Sequence, residues 1–424
     1  MSRLTQSLEH LQRRLRQLPD AILIPLDQGV YNATNLLPVL PFARLWGEAD
    51  FGRLALATSL VVGYTVLSRA YFAAPILVAG SLKPGRNPAL AQELRSMAIA
   101  VLGVVALCVV AALKVIPLPD VMTCLALSFG LPFAAAIDVH RLSYVRRQQA
   151  QKALMTDLVW LVVELLAMVA ALLFLRGFFL VSWSAGAVGA WAMQRVFSAR
   201  RAEQHGDEPS FDPAEFHALG KGFVADATAL VMRVQGYLVA LALIAGEVIV
   251  GGIRLSMVFI GPFTTFASGW RNHVTNRLRD RDDAGFPPRL AVPPLALAVV
   301  MVAAAVAFPR SVLDSLVGKE QLNIFLSFTA AAIGLSSIDT LVQATLMADR
   351  KTTLLARTRV VEACLWLAPL LILRPVSSHQ TKWLFLTSAV LGTLTWLAVY
   401  GWRRRASLTS RAEPVGAQSS PKSR

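Results

Sequence analysis

The sequence has few charged residues and few cysteines for its length. Only 16% of its 424 residues are charged, whereas soluble domains carry about 25%. Cys108, Cys124 and Cys364 all fall in apolar stretches, and none belongs to a CxxC or Cys/His pair with metal-ligand spacing. We therefore interpret them as small apolar packing residues and expect no metal site.

Motifs of common enzymes are also missing. The sequence contains no GxxxxGK[ST], no GxSxG and no HExxH, so it gives no reason to predict ATP hydrolysis, acyl transfer or zinc chemistry. We expect no catalytic residue and no cofactor, and we do not predict an enzyme. The first twenty residues have no apolar h-region either, so we expect no cleavable signal peptide.

Long apolar runs make up most of the chain. Hydrophobic residues account for 55% of it, and the mean hydropathy is +0.55. A run of about 20 apolar residues crosses the ~30 Å hydrocarbon core as a helix, because backbone polar groups must be satisfied internally there. The sequence therefore predicts an all-α integral membrane protein with about twelve spans. The predicted spans are 21–43, 52–79, 96–115, 119–140, 155–175, 178–197, 220–245, 248–270, 290–309, 322–347, 353–373 and 381–401.

The basic residues predict an orientation for these spans. The formal net charge is +15, but the basic residues sit between apolar runs and form no single patch, so we expect no nucleic-acid partner. With both termini inside, and with residues near a span end counted with the adjoining loop, 30 of the 41 lysines and arginines fall on the cytoplasmic side, 8 on the external side and 3 deep inside spans. Arg141, Arg271 and Arg359 are among the 30. This alternation follows the positive-inside rule. We therefore predict that both ends lie in the cytoplasm.

An internal repeat divides the spans into two halves. A shift of 199 positions places Asp27 on Asp226, and it places the segment Gly47-Glu48-x-x-x-Gly52 on Gly246-Glu247-x-x-x-Gly251. Since each half has an even number of spans, the halves are expected to be parallel repeats, as in two-lobe transporters that work by alternating access. The predicted organisation is an amphipathic cytoplasmic leader 1–20, an N-lobe 21–197, a cytoplasmic linker 198–219, a C-lobe 220–401 and a disordered basic tail 402–424.

Ionisable residues inside the spans are the candidate functional groups, because a charge in hydrocarbon is costly and usually faces a cavity or a partner. The sequence suggests a partly cationic cavity between the lobes; the alternatives are internal ion pairs such as Arg233 with Asp226. For Asp27 and Asp226 the repeat favours a shared structural role, such as an inter-helix bond. The candidates for substrate contact are Arg69, Arg233, Arg254, Asp27 and Asp226. The candidates for a protonatable coupling group are Glu164, Asp339 and Glu362.

Two sequence segments resemble a known family. These are Asp27-Gln28-Gly29 with Thr34-Asn35-Leu36-Leu37, and Leu45-Trp46-Gly47-Glu48-Ala49-Asp50-Phe51-Gly52. They resemble the polysaccharide-biosynthesis, O-antigen-type flippases of the multidrug/oligosaccharidyl-lipid/polysaccharide exporter superfamily. The second copy, Gly246-Glu247-Val248-Ile249-Val250-Gly251, is similar to the weaker repeat in the second lobe of such proteins.

The resemblance implies a function. Such flippases move lipid-diphosphate-linked oligosaccharides across the bacterial inner membrane, and cavity arginines would hold the diphosphate. The implied partners are the lipid-linked glycan, membrane lipids and the glycan polymerase or glycosyltransferases of the same pathway.

Three other readings stay open at this stage. One is a different twelve-helix exporter: a multidrug/proton antiporter of the same superfamily, or a major facilitator, although the loop Gly80-Ser81-Leu82-Lys83-Pro84-Gly85-Arg86 lacks the Asp-Arg pair usual in the latter. The second is a membrane enzyme of glycan assembly, which the short external loops disfavour. The third is a scaffold that transports nothing.

Overall fold

The structure is a computed structural model, and it describes most of the chain. The described residues are 20–37, 39, 46–78, 83–85, 88–174, 179–202, 208–210, 213–279, 288–307, 320–375 and 377–412. The predicted leader, up to residue 19, and the end of the predicted tail, from residue 413, lie outside them.

Twelve helical segments follow one another in the described residues, one for each predicted span. They are α1 Asp20–Leu36, α2 Glu48–Val78, α3 Pro88–Leu113, α4 Val121–Arg146, α5 Ala150–Phe174, α6 Phe179–Ala202, α7 Pro213–Ala245, α8 Glu247–Arg279, α9 Val292–Ala307, α10 Glu320–Ala348, α11 Thr352–Leu373 and α12 Ser378–Ala412. Helices α2–α5, α7, α10 and α12 are long and apolar enough to cross a membrane, and α8 also qualifies when its halves, which meet at 55°, are taken as one span. The predicted all-α membrane fold is confirmed, whereas the orientation of the termini stays a prediction.

Several helices run past the predicted spans. Helix α7 begins at Pro213, where proline at the first helical position is favourable, and α12 continues through the part of the predicted tail up to Ala412. Helix α8 continues to Arg279, which places Arg271 inside a helix. A two-stranded antiparallel ribbon that the sequence did not predict pairs β1, Lys83–Gly85, with β2, Glu208–Ser210.

Helix α4 has a capped start and a break near its middle, and the contacts at these two points position the second half of the helix. The Asp120 side chain caps the helix by accepting hydrogen bonds from the Thr123 backbone N and Oγ1, at 3.0 and 2.7 Å. These bonds lower the pKa of Asp120. At the break, the Gly130 N–H donates to Ser184 Oγ of α6 at 2.8 Å. The second half of α4 is thereby held against the N-lobe core.

The two halves share backbone geometry as well as sequence. Between α4 and α5, Gln148 has a positive φ of 56°, and between α10 and α11 Arg350 has the same value. The Gln149 N–H donates to the Tyr144 carbonyl and the Lys351 N–H to the Leu346 carbonyl, both at 2.9 Å. These two turns are related by a shift of 202 positions, so the repeat extends well beyond the segment that the sequence reveals.

The lobes meet through the first two helices of each half. Helix α1 packs against α8, and α2 packs against α7 and α8. We call the end of the bundle near the α6–α7 connection the linker end, and the end near the α1–α2 and α7–α8 connections the turn end. At the linker end, one apolar cluster contains residues of both lobes, among them Leu23, Phe72, Phe223 and Leu346.

The repeated Gly-Glu-x-x-x-Gly segments pack on each other at the turn end. A Cβ added to Gly52 of α2 would overlap the Glu247 carbonyl group of α8, and one added to Gly251 would come within 3.2 Å of the Phe51 ring. Glycine permits this close approach of two helix starts because it has no side chain. The lobes also touch midway, at Gly63 with Val231, and near the linker end, at Gly220 with Tyr71.

Candidate functional site

Each lobe encloses a cluster of charged side chains. The N-lobe cluster consists of Asp27, Arg69, Asp138, Arg141 and Asp157. At its centre, Arg141 Nη2 lies 2.8 Å from Asp27 Oδ2 of α1 and 3.0 Å from Asp157 Oδ2 of α5. The side chains of these residues are at most 2% exposed. Burying them stays favourable only because opposite charges face one another at close range.

Arg69 belongs to the same cluster through a bidentate pair. Its Nε and Nη2 donate to Asp138 Oδ2 and Oδ1 at 3.0 and 2.8 Å, the two-bond geometry that suits guanidinium and carboxylate best. The Tyr31 ring lies 5.1 Å from the Arg69 guanidinium and 4.3 Å from that of Arg141, which adds cation–π attraction to both. Arg69 is therefore neutralised within its own lobe, although its side chain is 28% exposed.

The C-lobe cluster consists of Asp226, Arg233, Arg359 and Glu362. Arg359 Nε lies 3.3 Å from Asp226 Oδ1 of α7, and its Nη1 donates to Glu362 Oε2 at 2.8 Å. Arg233 Nη1 contacts Glu362 Oε1, and Trp396 Nε1 of α12 donates to Glu362 Oε2 at 3.0 Å. The Glu362 carboxylate thus receives two arginines and one indole N–H.

Arg233 lies on an irregular turn in the middle of α7. Residues Met232–Gly236 form a π-helical turn, and such turns are frequent at functional sites because the extra residue redirects side chains. Gln235 on the same turn packs against Gly63 of the N-lobe. This turn therefore links the C-lobe cluster to the middle of the lobe interface.

The structure answers part of the sequence interpretation of these groups. Asp27 and Asp226, the repeated acids, each contact an arginine of another helix in their own lobe. Arg233 pairs with Glu362, and the carboxylate of Asp226 is held by Arg359 instead. From the sequence, Arg141 and Arg359 were expected on the cytoplasmic side, but both are 2% exposed or less and form the centres of the two clusters.

Two of the candidate coupling residues have carboxyl oxygens without a hydrogen-bond partner among the described residues. Glu164 of α5 has no hydrogen-bond partner for either Oε1 or Oε2, and Asp339 of α10 has none for Oδ1. Both side chains are buried. The third candidate, Glu362, is fully engaged in the C-lobe cluster. Within the described residues, Glu164 and Asp339 are thus buried carboxyls that can still bind a proton or a polar ligand.

Two arginines of α8 differ from those of the clusters. Arg254, in the turn half of α8, is half-buried, and in the described part of the chain no hydrogen bond or ion pair to it is found; its Nε is buried without a partner. Arg271, in the linker half, donates to Gln343 Oε1 at 3.1 Å and to Ser268 Oγ at 3.5 Å. Both of these acceptors are uncharged.

A further buried carboxylate lies apart from the lobe interface. Glu93 of α3, which the sequence analysis did not single out, is 1% exposed. It accepts from Trp191 Nε1 at 2.9 Å and contacts Arg195 Nη2 at 2.9 Å and His140 Nε2 at 3.0 Å. It joins α3, α4 and α6, and we interpret it as a structural tie within the N-lobe.

The fold is similar to that of known transporters. A multidrug resistance MATE family transporter of the MOP superfamily matches in an outward-facing conformation, with a TM-score of 0.64 and 12% identity over 93% of this chain and 98% of that one. An inward-facing conformation of such a transporter matches with a TM-score of 0.60 and 12% identity over 93% and 96%. A MOP superfamily transporter from Pyrococcus furiosus matches with a TM-score of 0.62 and 14% identity over 91% and 94%.

These similarities concern the fold. The identities lie between 12% and 14%, and the agreement extends over nearly the whole of each chain. No family model and no curated protein matches the sequence. The shared feature is a twelve-helix bundle in two lobes.

Proposed function

We propose that this protein is a membrane transporter that works by alternating access between two six-helix lobes. The observation that carries the proposal is the lobe interface, in which glycine contacts join α2 to α7 and α8 at three levels while each lobe keeps its own charged cluster. Rigid lobes joined by contacts between small residues can rock against each other, as parallel-repeat transporters do. The similarity of the fold to MATE transporters in inward-facing and outward-facing conformations supports this reading.

We further propose that the substrate is a lipid-linked oligosaccharide or polysaccharide precursor of the bacterial inner membrane. The support is the resemblance of residues 27–37 and 45–52 to polysaccharide flippases and the presence of Arg254 and Arg271 beside the lobe interface without carboxylate partners in the described part of the chain. Guanidinium groups suit phosphate because they donate two parallel hydrogen bonds. With the linker end in the cytoplasm, the headgroup would enter there and leave at the turn end.

Translocation can be measured directly after reconstitution. We expect proteoliposomes that contain the protein to move a fluorescent polyprenyl-diphosphate-linked oligosaccharide between leaflets faster than protein-free liposomes do. The readout is the loss of fluorescence when a membrane-impermeant reductant bleaches the label in the outer leaflet. Equal rates with and without the protein, across several glycan and polyprenyl lengths, would contradict the substrate assignment.

Variants of Arg69 and Arg233 test the substrate contacts predicted from the sequence. If these side chains also contact the headgroup, we expect Arg69→Ala and Arg233→Ala to lower the translocation rate at least ~10-fold, about 1.4 kcal/mol of lost interaction. The exposed Lys221→Ala on α7 serves as the matched control. If either arginine variant keeps full activity at normal abundance, that arginine does not contact the substrate and serves only in its ion pair.

The alternative is a multidrug exporter, the description that several proteins of similar fold carry. The buried carboxyls Glu164 and Asp339 favour it, because a cationic drug and a proton can compete for such groups. Proteoliposomes that export a cationic dye such as ethidium, and that do not move the lipid-linked glycan, would decide for this alternative.

A further inference from the structure

Helix α2 presents one regular stripe of residues to the C-lobe. Its members are three or four positions apart and so share one face of the helix: Gly52, Leu56, Ser59 and Gly63. Gly52 packs on Glu247 of α8, and Gly63 packs on Gln235 of α7. Leu56 belongs to the same apolar cluster as three residues of α7. Ser59 lies between Leu56 and Gly63 on this stripe and therefore faces α7.

The hydroxyl of Ser59 is unusual for a polar group in this position. The residue is 1% exposed, and its Oγ has no hydrogen-bond partner among the described residues. Thr58 and Thr65 of the same helix differ, because their hydroxyls donate to the Ala55 and Val62 carbonyls at 3.0 and 2.8 Å. A buried polar group without a partner is costly. At a contact between two lobes that move, such a group indicates a partner that is reached in another arrangement of the lobes.

Gln235 of α7 carries the complementary group. It is 6% exposed, and its Oε1 is buried without a hydrogen-bond partner in the described part of the chain. Its Cγ lies over Gly63, 3.2 Å from the position that a Cβ would take there. Gly63 is one helical turn, about 6 Å, from Ser59 on the same stripe. A hydroxyl donor and an amide acceptor, both unpaired, thus lie about one turn apart on facing helices.

The local backbone leaves the Gln235 side chain free to change direction. Gln235 is part of the π-helical turn Met232–Gly236, which interrupts the regular helix, and Gly63 has no side chain that would hold the amide in place. If the linker end opens while the lobes stay in contact at the turn end, Gly63 moves away from Gln235. The glutamine can then turn toward Ser59, which lies nearer to the turn end.

We propose that Ser59 and Gln235 form a hydrogen bond between the lobes in the conformation that is open at the linker end. The proposal rests on alternating access, as proposed above. In the closed arrangement, in which the lobes touch at both ends, the two groups are unpaired. In the open arrangement, their bond offsets part of the contact that is lost at Gly63. Ser59 and Gln235 are therefore positioning residues that set the ratio of the two conformations.

The ratio can be measured without any substrate. Gln151 and Thr353 occupy equivalent positions in the first turns of α5 and α11, at the linker end, and neither is buried. Nitroxide labels on cysteines at these positions, in the full-length protein without native cysteines in phosphatidylcholine nanodiscs, report the distance between the lobes by pulsed EPR. We expect two distances in the otherwise unchanged protein.

Substitution of either partner should favour the closed arrangement. We expect Ser59→Ala to lower the ratio of the longer to the shorter distance about 5-fold, because it removes an unpaired group from the closed arrangement and the bond from the open one. Gln235→Leu should have the same effect. Ser256→Ala on α8 is the matched control, since that buried hydroxyl already donates to the Gly252 carbonyl at 2.9 Å, and it should keep the ratio.

The double variant tests the pairing itself. Ser59→Ala combined with Gln235→Leu should lower the ratio no further than either single substitution, because both remove the same bond. Additive effects, or an unchanged ratio in Ser59→Ala, overturn the pair and leave the transporter proposal standing. A lower melting temperature of Ser59→Ala also overturns it, because the hydroxyl would then be engaged in the closed arrangement. A single distance before any substitution contradicts alternating access as well as the pair.

Discussion

Arg141→Met is expected to destabilise the folded protein by about 3–5 kcal/mol, because it removes the cation between three buried carboxylates. Asp27 and Asp157 would then face each other in the N-lobe without an arginine, since Asp138 keeps its pair with Arg69. Removing one partner of a buried pair leaves the full desolvation penalty of the other. In detergent, we expect the apparent melting temperature to fall by about 3–6 °C.

The chain offers both a control and a rescue for this experiment. Arg357→Met replaces an exposed arginine of α11 and should leave the melting temperature nearly unchanged. Combining Arg141→Met with Asp27→Asn and Asp157→Asn removes the two orphaned charges at constant size, so much of the lost stability should return. If Arg141→Met melts like Arg357→Met, the charged cluster does not hold the N-lobe together.

Gly52→Ala is expected to keep the lobes apart at the turn end. The new Cβ would meet backbone atoms of Glu247, which cannot rotate away as a side chain could. Overpacking of this kind costs about 1–3 kcal/mol, and a cost of that size shifts a two-state equilibrium by about 5- to 150-fold. Transport that requires closure at this end should fall accordingly.

Closure at the turn end can be measured independently of any substrate. A Cβ at Gly52 would meet the Glu247 carbonyl group, so the backbones of α2 and α8 are close at this point. Cysteines in place of Arg53, which adjoins Gly52, and of Glu247, in a background without native cysteines, therefore report this contact by disulfide formation. Gly52→Ala should reduce the disulfide yield strongly. Gly47→Ala, at the first glycine of the same motif with nothing within 4 Å of the added Cβ, should leave it unchanged. The same yield in both variants would contradict the proposed contact.

The sequence predicted the number of helices well because hydropathy and helix length are local properties. Helix ends were less predictable, because they depend on contacts with other helices and not on local hydropathy. The predicted span ends at residue 270, where polar residues begin, whereas α8 packs on α1 and α10 and continues to Arg279. The twin turns at Gln148 and Arg350 could not be found from sequence either, because the chain repeats their backbone geometry without repeating their side chains.

The site was predicted in outline only. The repeat singled out Asp27 and Asp226 as a related pair, since acidic residues are rare in apolar sequence. Their arginine partners lie 114 and 133 positions away, and residue spacing does not reveal such contacts. Arg141, Arg271 and Arg359 were each counted on the cytoplasmic side because they lie next to or near the end of a predicted span, although burial among opposite charges or polar groups lets a helix carry a charged residue inward.

The pairing of charges within lobes has a consequence for the energetics of motion. Among the described residues, the ion pairs of the N-lobe cluster lie within or between α1, α2, α4 and α5, and those of the C-lobe cluster lie within or between α7 and α11. Across the interface, the polar contacts in the described residues are between uncharged groups or lie at the accessible ends: Asn32 donates to the Gly261 carbonyl, Arg53 lies near Glu247, and Tyr71 contacts His217. A rocking motion therefore separates no charges within either cluster. The contacts that the motion must exchange are apolar, glycine and a few polar ones outside the clusters, so stability and mobility reside in different parts of the same bundle.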